Sequence, residues 1–131
     1  MSTADLFMTA LCLWREARGE GTEGMTAVCW VIRNRTLKHG TTAYAEVVKK
    51  WQFSSITAAG DPELIVYPAM QDEQFVQAQS IIDQVFAGTV PDPTGGATLY
   101  YATSIPFPAS WNRSVITQTA HIGRQIFFKE A

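Results

Sequence analysis

The chain has 131 residues, enough for one domain with one core and too short for two ordinary ones. Apolar residues make up 47% and charged residues 17%, the balance of a globular rather than a disordered chain. The net charge is −2 with no basic run, which argues against nucleic acid as a partner, and no apolar run approaches the roughly 20 residues that cross a bilayer, which argues against stable membrane insertion.

Ser2 with Asp5 three residues on forms a capping-box pattern, and the start Met1-Ser2-Thr3-Ala4-Asp5 lacks the basic opening of a secretory signal. Leu6, Ala10, Leu13 and Ala17 then make one apolar stripe, and Gly19 ends the helix. Its last turn carries the densest cluster of the chain, Trp14-Arg15-Glu16-Ala17-Arg18-Gly19-Glu20. At about 100° per residue, Glu16 falls on the flank of the stripe, neither in the core face nor opposite it. A half-desolvated carboxylate where a helix edge meets a glycine turn suits acid–base chemistry. On helix geometry alone, an ordinary helix-end charge paired with a nearby arginine is the commoner outcome.

Thr22 is the expected cap of a second helix, with Met25, Val28, Cys29 and Ile32 on its apolar face and Gly40 at its end. A short helix is expected through Ala45–Lys50, after which Trp51-Gln52-Phe53-Ser54-Ser55 leaves the helical pattern. Residues 56–69, with Gly60, Asp61-Pro62 and Pro68, read as a loop. Asp72 and Glu73 favour the start of a further helix, which Phe75, Ala78, Ile82, Val85 and Phe86 line and Gly88 ends. The last third changes character. Pro91-Asp92-Pro93-Thr94-Gly95-Gly96 is turn-rich, Leu99-Tyr100-Tyr101 suits a strand, and Pro106-Phe107-Pro108 is a rigid loop. Val115–Ala120 and Gln125–Phe128 read as two strands around Gly123. The fold class is α+β, mainly helical in the N-terminal two-thirds with a small antiparallel sheet toward the C-terminus. Cys12 and Cys29 fall on predicted helices. Two buried thiols are expected, with a disulfide between the helices as the alternative.

No Gly-x-Ser-x-Gly, phosphate-loop or dinucleotide glycine pattern is present, and with only His39 and His121 no zinc-ligand spacing arises. Carboxylate chemistry with aromatic and amide partners remains. That combination suits carbohydrates, which stack on aromatic faces and hydrogen-bond to amides and hydroxyls.

A set of motifs then occurs in order: Glu16-Ala17-Arg18-Gly19-Glu20, Glu23-Gly24, Ala27-Val28 running to Asn34-Arg35, and Gln52-Phe53-Ser54. It continues with Asp92-Pro93-Thr94-Gly95-Gly96-Ala97, Tyr100-Tyr101, Trp111, and Ile122-Gly123 followed by Phe127. In these residues, over about positions 6–128, the chain resembles the catalytic domain of the SleB-type cell-wall hydrolases, a spore-cortex-lytic family with phage members. The resemblance implies a lysozyme-like fold in one domain, residues 1–131. It implies cleavage of the β-1,4 bond between N-acetylmuramic acid and N-acetylglucosamine in peptidoglycan glycan strands, with Glu16 as the catalytic acid. Family members studied as spore enzymes resemble lytic transglycosylases, which leave a 1,6-anhydro end and need neither metal nor cofactor. A hydrolytic muramidase is the alternative within enzymes. A non-catalytic glycan-binding or virion protein on the same fold is the alternative outside them. The chain is expected to be a monomer. A phage lysin of this kind would wait in the host cytoplasm for release to the wall or ride on the virion, and a domain cut from a longer exported enzyme would look the same.

Around Glu16, the competing acids are Glu20, ranked second, and Glu23, while Arg15 and Arg18 read as a solvated face or a structural clamp. Gln52 and Ser54 suit the acetamido groups of the substrate, or else tie their own loop. Tyr100 and Tyr101 point to opposite faces of a strand, and Tyr101 is assigned to the cleft and Tyr100 to the core. Trp111, in a polar loop, is assigned as a sugar platform, with Trp14, Trp30 and Trp51 as packing residues. Thr119 stands where the family carries a threonine before Ile-Gly, a candidate substrate contact. Gln125 stands where many members have histidine; it hydrogen-bonds but cannot titrate. His121 reads as a partly exposed strand residue.

Overall fold

In a computed structural model of the chain, residues 1–50 and 52–131 are described, and the packing expectation for Trp51 lies outside them. Helix α1 spans Thr3–Ala17. Its capping box forms as the pattern requires: the Ser2 hydroxyl accepts the Asp5 N–H, and the Asp5 carboxylate accepts the Ser2 N–H, each at 3.0 Å. Asp5 also accepts the Tyr44 N–H at 2.8 Å, which ties the next-but-one helix to this end.

Helix α2 (Gly21–His39) follows after three residues. Thr22 does not cap it. Gly19 and Gly21 take left-handed φ values of 90° and 77° and reverse the chain so tightly that Glu20 occupies the cap position, without a cap hydrogen bond. Gly24 makes this turn fit, because a Cβ there would lie 2.6 Å from the Glu20 Cβ. The Thr22 hydroxyl instead accepts from Gln77.

Helix α3 is Ala43–Val47, earlier than the expected Ala45–Lys50, because the Thr42 hydroxyl accepts the Ala45 N–H at 3.1 Å and starts it there. The segment read as non-helical holds a one-turn helix, α4 (Ser54–Thr57), and a 3-10 turn at Pro62–Ile65. Asp61 caps that turn by accepting the Glu63 N–H at 2.8 Å, with Pro62 at its first position. Helix α5 (Glu73–Ala87) runs between Asp72 and Gly88 as expected. Phe75, Ala78, Ile82 and Val85 are buried on it, whereas Phe86 is half-buried beneath the Arg33 guanidinium.

Strands β1 (Leu99–Ala102), β2 (Ile116–Ile122) and β3 (Gln125–Glu130) form one antiparallel sheet in the order β1-β3-β2. The helices enclose the main core, into which Leu13, Met25, Val28, Ile32, Phe53 and Ile82 pack. A smaller core of Ala27, Val31, Ala97 and Phe127 joins α2 to the sheet, and Tyr100 packs against both.

A polar seam fixes this joint. Asp92 Oδ1 accepts the Thr94 N–H at 2.8 Å and its hydroxyl at 2.6 Å, and Oδ2 accepts the Gly96 N–H at 3.0 Å. Asn34 on α2 donates to Asp92 Oδ2 at 3.0 Å and to the Ala97 carbonyl at 2.9 Å. Buried Arg35 donates from Nε to the Thr98 carbonyl at 2.6 Å. Gly95 is required twice over: its φ is +69°, and a Cβ would come 3.2 Å from the Thr119 Cβ.

Among the described residues no helix is long and apolar enough to cross a membrane, and no cluster of three or more His, Cys, Asp or Glu residues could hold a metal. Cys12 and Cys29 are buried free thiols, so the disulfide alternative is not realised. Burial raises both thiols above the usual range, and Glu16 adds to the effect at Cys12. Ellman's reagent should therefore report no thiol in the native protein and two once denaturant is added.

Candidate active site

Glu16 lies in the last turn of α1 and is half-buried, as its place on the flank of the stripe predicts. Each of its carboxylate oxygens meets a hydroxyl. Ser55 Oγ donates to Oε2 at 2.5 Å, and the Tyr100 hydroxyl donates to Oε1 at 2.9 Å. Burial first, and the Glu16 charge second, push the Tyr100 phenol well above the usual tyrosine range, so it keeps its proton. A hydroxyl can donate or accept. The pair therefore accommodates Glu16 both as an acid and as a base.

Helix α4 brings Ser55 to this point, but a single turn does not hold itself in place. Buried Arg15 does so. Its guanidinium donates to the carbonyls of Ser55 at 2.8 Å, Val66 at 3.1 Å and Leu64 at 3.4 Å. Consecutive residues of α1 thus grip Ser55 from two sides, Arg15 at the carbonyl and Glu16 at the hydroxyl. Arg18 is a clamp as well: it lies 4.0 Å over the Trp14 ring and pairs with Glu63 at 2.6 Å. The clamp alternative for both arginines is the one realised. Trp14 and Trp30 pack on the helical core, as expected.

Glu16 opens on a cleft of about 520 Å³. Gln52, Ser54, Tyr101, Trp111 and Gln125, all singled out in the sequence, line it together with Tyr100 and Arg35. Among the described residues lining it, Glu16 is the one carboxylate. One wall is aromatic. Trp111 and Phe107 each meet the Tyr101 ring edge-on, at centroid distances of 5.9 and 5.6 Å, and Phe128 closes the group. Trp111 therefore packs and faces the cleft at once. Gln125 is buried, with an Oε1 that has no protein partner among the described residues.

Other placements differ from expectation. Thr119 does not line the cleft; its hydroxyl donates to the Thr94 carbonyl at 2.5 Å and braces the Asp92 turn. Tyr100, assigned to the core, does pack there but also delivers its hydroxyl to Glu16. Ser55, which was not singled out as a site residue, touches the carboxylate, while Ser54 lines the cleft. Arg35 was not among the expected site residues at all. It is buried over the Phe53 ring, and its Nη1 lacks a protein partner among the described residues. Of the competing acids, Glu20 is ion-paired with Arg124, and Glu23 is exposed at the start of α2. His121 is exposed on β2, and His39 pairs with Glu46 at 3.1 Å.

Replacing Arg15 tests the clamp. Arg15→Met should lower stability by about 2–4 kcal/mol, since the buried Ser55 carbonyl and two partly buried ones lose a charged donor. Limited proteolysis should then cut first within residues 54–66.

Comparison with known proteins agrees with this architecture. A family model described as Cell Wall Hydrolase matches residues 19–128, beginning just past Glu16. The fold is similar to the catalytic domain of the germination-specific lytic transglycosylase SleB from Bacillus anthracis, at TM-score 0.75 and 25% identity over 98% of this chain and 97% of that one. It is similar also to the catalytic domain of the Bacillus cereus SleB protein, at TM-score 0.74 and 25% identity over 98% of this chain and 91% of that one. No curated protein sequence matches. With the family model spanning most of its length and the fold shared end to end, the chain belongs to the cell wall hydrolase family.

Proposed function

We propose that this chain is a peptidoglycan lytic transglycosylase that cleaves the β-1,4 bond between N-acetylmuramic acid and N-acetylglucosamine, with Glu16 as acid and then base. One observation carries the reading: a half-buried carboxylate, bracketed by two reversible hydroxyls, is the one carboxylate lining an open cleft with an aromatic wall. Hydrolysis usually takes two flanking carboxyls, one of them to activate water or attack the sugar. Intramolecular transfer needs one. The B. anthracis relative, named as a lytic transglycosylase, supports the same class.

In the proposed sequence, Glu16 starts in its acid form and gives its proton to the glycosidic oxygen. The bond from the muramic C1 to that oxygen breaks, and its electron pair leaves with the N-acetylglucosamine hydroxyl. The muramic C6 hydroxyl closes on C1, and the Glu16 carboxylate takes its proton. Ser55 and Tyr100 turn their hydroxyls to follow the change in charge. Gln52, Ser54 and Gln125 provide amide and hydroxyl partners for acetamido groups, and Tyr101 and Trp111 offer ring faces and edges to the sugars.

Glu16→Gln should keep the fold and lower wall lysis at least about 10²-fold, the usual worth of a proton-transfer group. Unchanged lysis would remove Glu16 from the mechanism. Ser55→Ala and Tyr100→Phe should each lower kcat about tenfold with little effect on KM, because they loosen the orientation of the acid rather than the grip on sugar. Mass spectrometry of digested peptidoglycan should find anhydro ends, lighter by one water than reducing ends; reducing ends alone would make the enzyme a hydrolytic muramidase.

A further inference from the structure

Glu16 stands between two cavities. Beyond it from the aromatic cleft lies a lobe of about 240 Å³, which shares Glu16, Ala102 and Gln125 with the cleft and is otherwise lined by Arg18, Glu20, Ser104 and Arg124. We propose that this lobe is a subsite for the carboxylate carried by the muramyl side chain of the strand, with Arg124 as the residue that meets it. The proposal rests on the reading of the chain as a peptidoglycan-cleaving enzyme and assigns one end of its cleft.

Each of the two guanidiniums has a carboxylate partner, Glu63 for Arg18 and Glu20 for Arg124. In the second pair Glu20 is sunk: its side chain is 11% exposed, against 74% for Arg124. The lobe therefore presents its positive partner outward and hides the negative one. Arg124 gives Glu20 its Nε at 3.1 Å and its Nη2 as well. This uses two of the five guanidinium N–H groups and leaves Nη1 for a second carboxylate.

Arg124 also stands on a rigid base. It occupies the tight turn between β2 and β3, and its carbonyl accepts the Thr103 N–H at 2.8 Å, which ties the turn to the end of β1. Across the lobe, Arg18 is held over the Trp14 ring and its charge is met by Glu63, so Arg124 is the guanidinium left to meet the anion. A glycan with its scissile bond at Glu16 has to extend to both sides of that residue. N-acetylglucosamine units bring no charge, whereas every muramyl unit brings a lactyl group or a stem peptide that ends in carboxylate. The aromatic cleft suits uncharged ring faces, and the guanidinium lobe suits the anion.

Binding of intact fragments to Glu16→Gln tests this by calorimetry with three tetrasaccharides: one bearing stem peptides, one with the peptides removed by an amidase to leave lactyl carboxylates, and neutral chitotetraose. Adding Arg124→Ala should weaken the anionic fragments about fivefold, the scale of one exposed ion pair, and leave chitotetraose unchanged. Their salt dependence should flatten, and Arg124→Lys should restore part of the affinity. Loss with the peptide-free fragment alone identifies the lactyl carboxylate as the ligand, loss with the peptide-bearing one alone identifies a stem-peptide carboxylate, and loss with both shows that the lobe takes either. An equal effect on all three probes, or on none, overturns the subsite. Cleavage of the fragments by Glu16→Gln would strike the catalytic reading alone, because the subsite is judged on the preference among probes.

Discussion

The hydrogen bond from buried Arg35 to the Thr98 carbonyl is the contact on which the site depends. It joins the second helix to the chain one residue before β1 begins, and two residues before Tyr100. Asn34, next to Arg35, holds the Ala97 carbonyl and the Asp92 carboxylate in the same way. A buried guanidinium is costly to leave unpaired, so this seam strongly favours one position of the sheet against α2. With the sheet so placed, Phe127 fills the space over Ala27 and Val31, and the Tyr100 hydroxyl reaches Glu16 from 84 residues away.

Seen from that seam, most of the ordered motif is scaffold. Asp92 organises its own turn, Gly95 lets Thr119 come close, Thr119 braces the turn, and Gly24 makes room for Glu20 at the tight reversal between α1 and α2. The family match beginning at residue 19 covers this scaffold and leaves Glu16 just outside. Placing two hydroxyls within hydrogen-bond reach of one carboxylate requires three separate elements to be held together, and many more residues do the holding than the touching.

The end of α1 shows how one helix turn divides such labour. Arg15 and Glu16 are about 100° apart on the helix. Arg15 turns toward the 54–66 segment and is buried on its carbonyls. Glu16 stays at the edge, where the cleft can reach it. Both residues act on Ser55, Arg15 at its carbonyl and Glu16 at its hydroxyl.

The amino-acid sequence by itself determined what depends on near neighbours. The capping box at Ser2, the span of α5 from Asp72 to Gly88, the two hydrophobic helices and the three short strands all follow from contacts within a few residues. So does the half-burial of Glu16, which needs only the helical period and an apolar stripe. Tertiary structure alone decided which hydroxyls meet that carboxylate. Strand alternation shows that Tyr100 and Tyr101 face opposite ways, yet not which face looks toward α1. A one-turn helix at Ser54–Thr57 has too short a period to read, so nothing marked Ser55 as the partner of Glu16. Thr119 carries the right chemistry for a sugar, but the packing of the Asp92 turn claims its hydroxyl. Those choices depend on the angles between elements, and the angles come from a buried seam whose partners lie 58 to 63 residues apart.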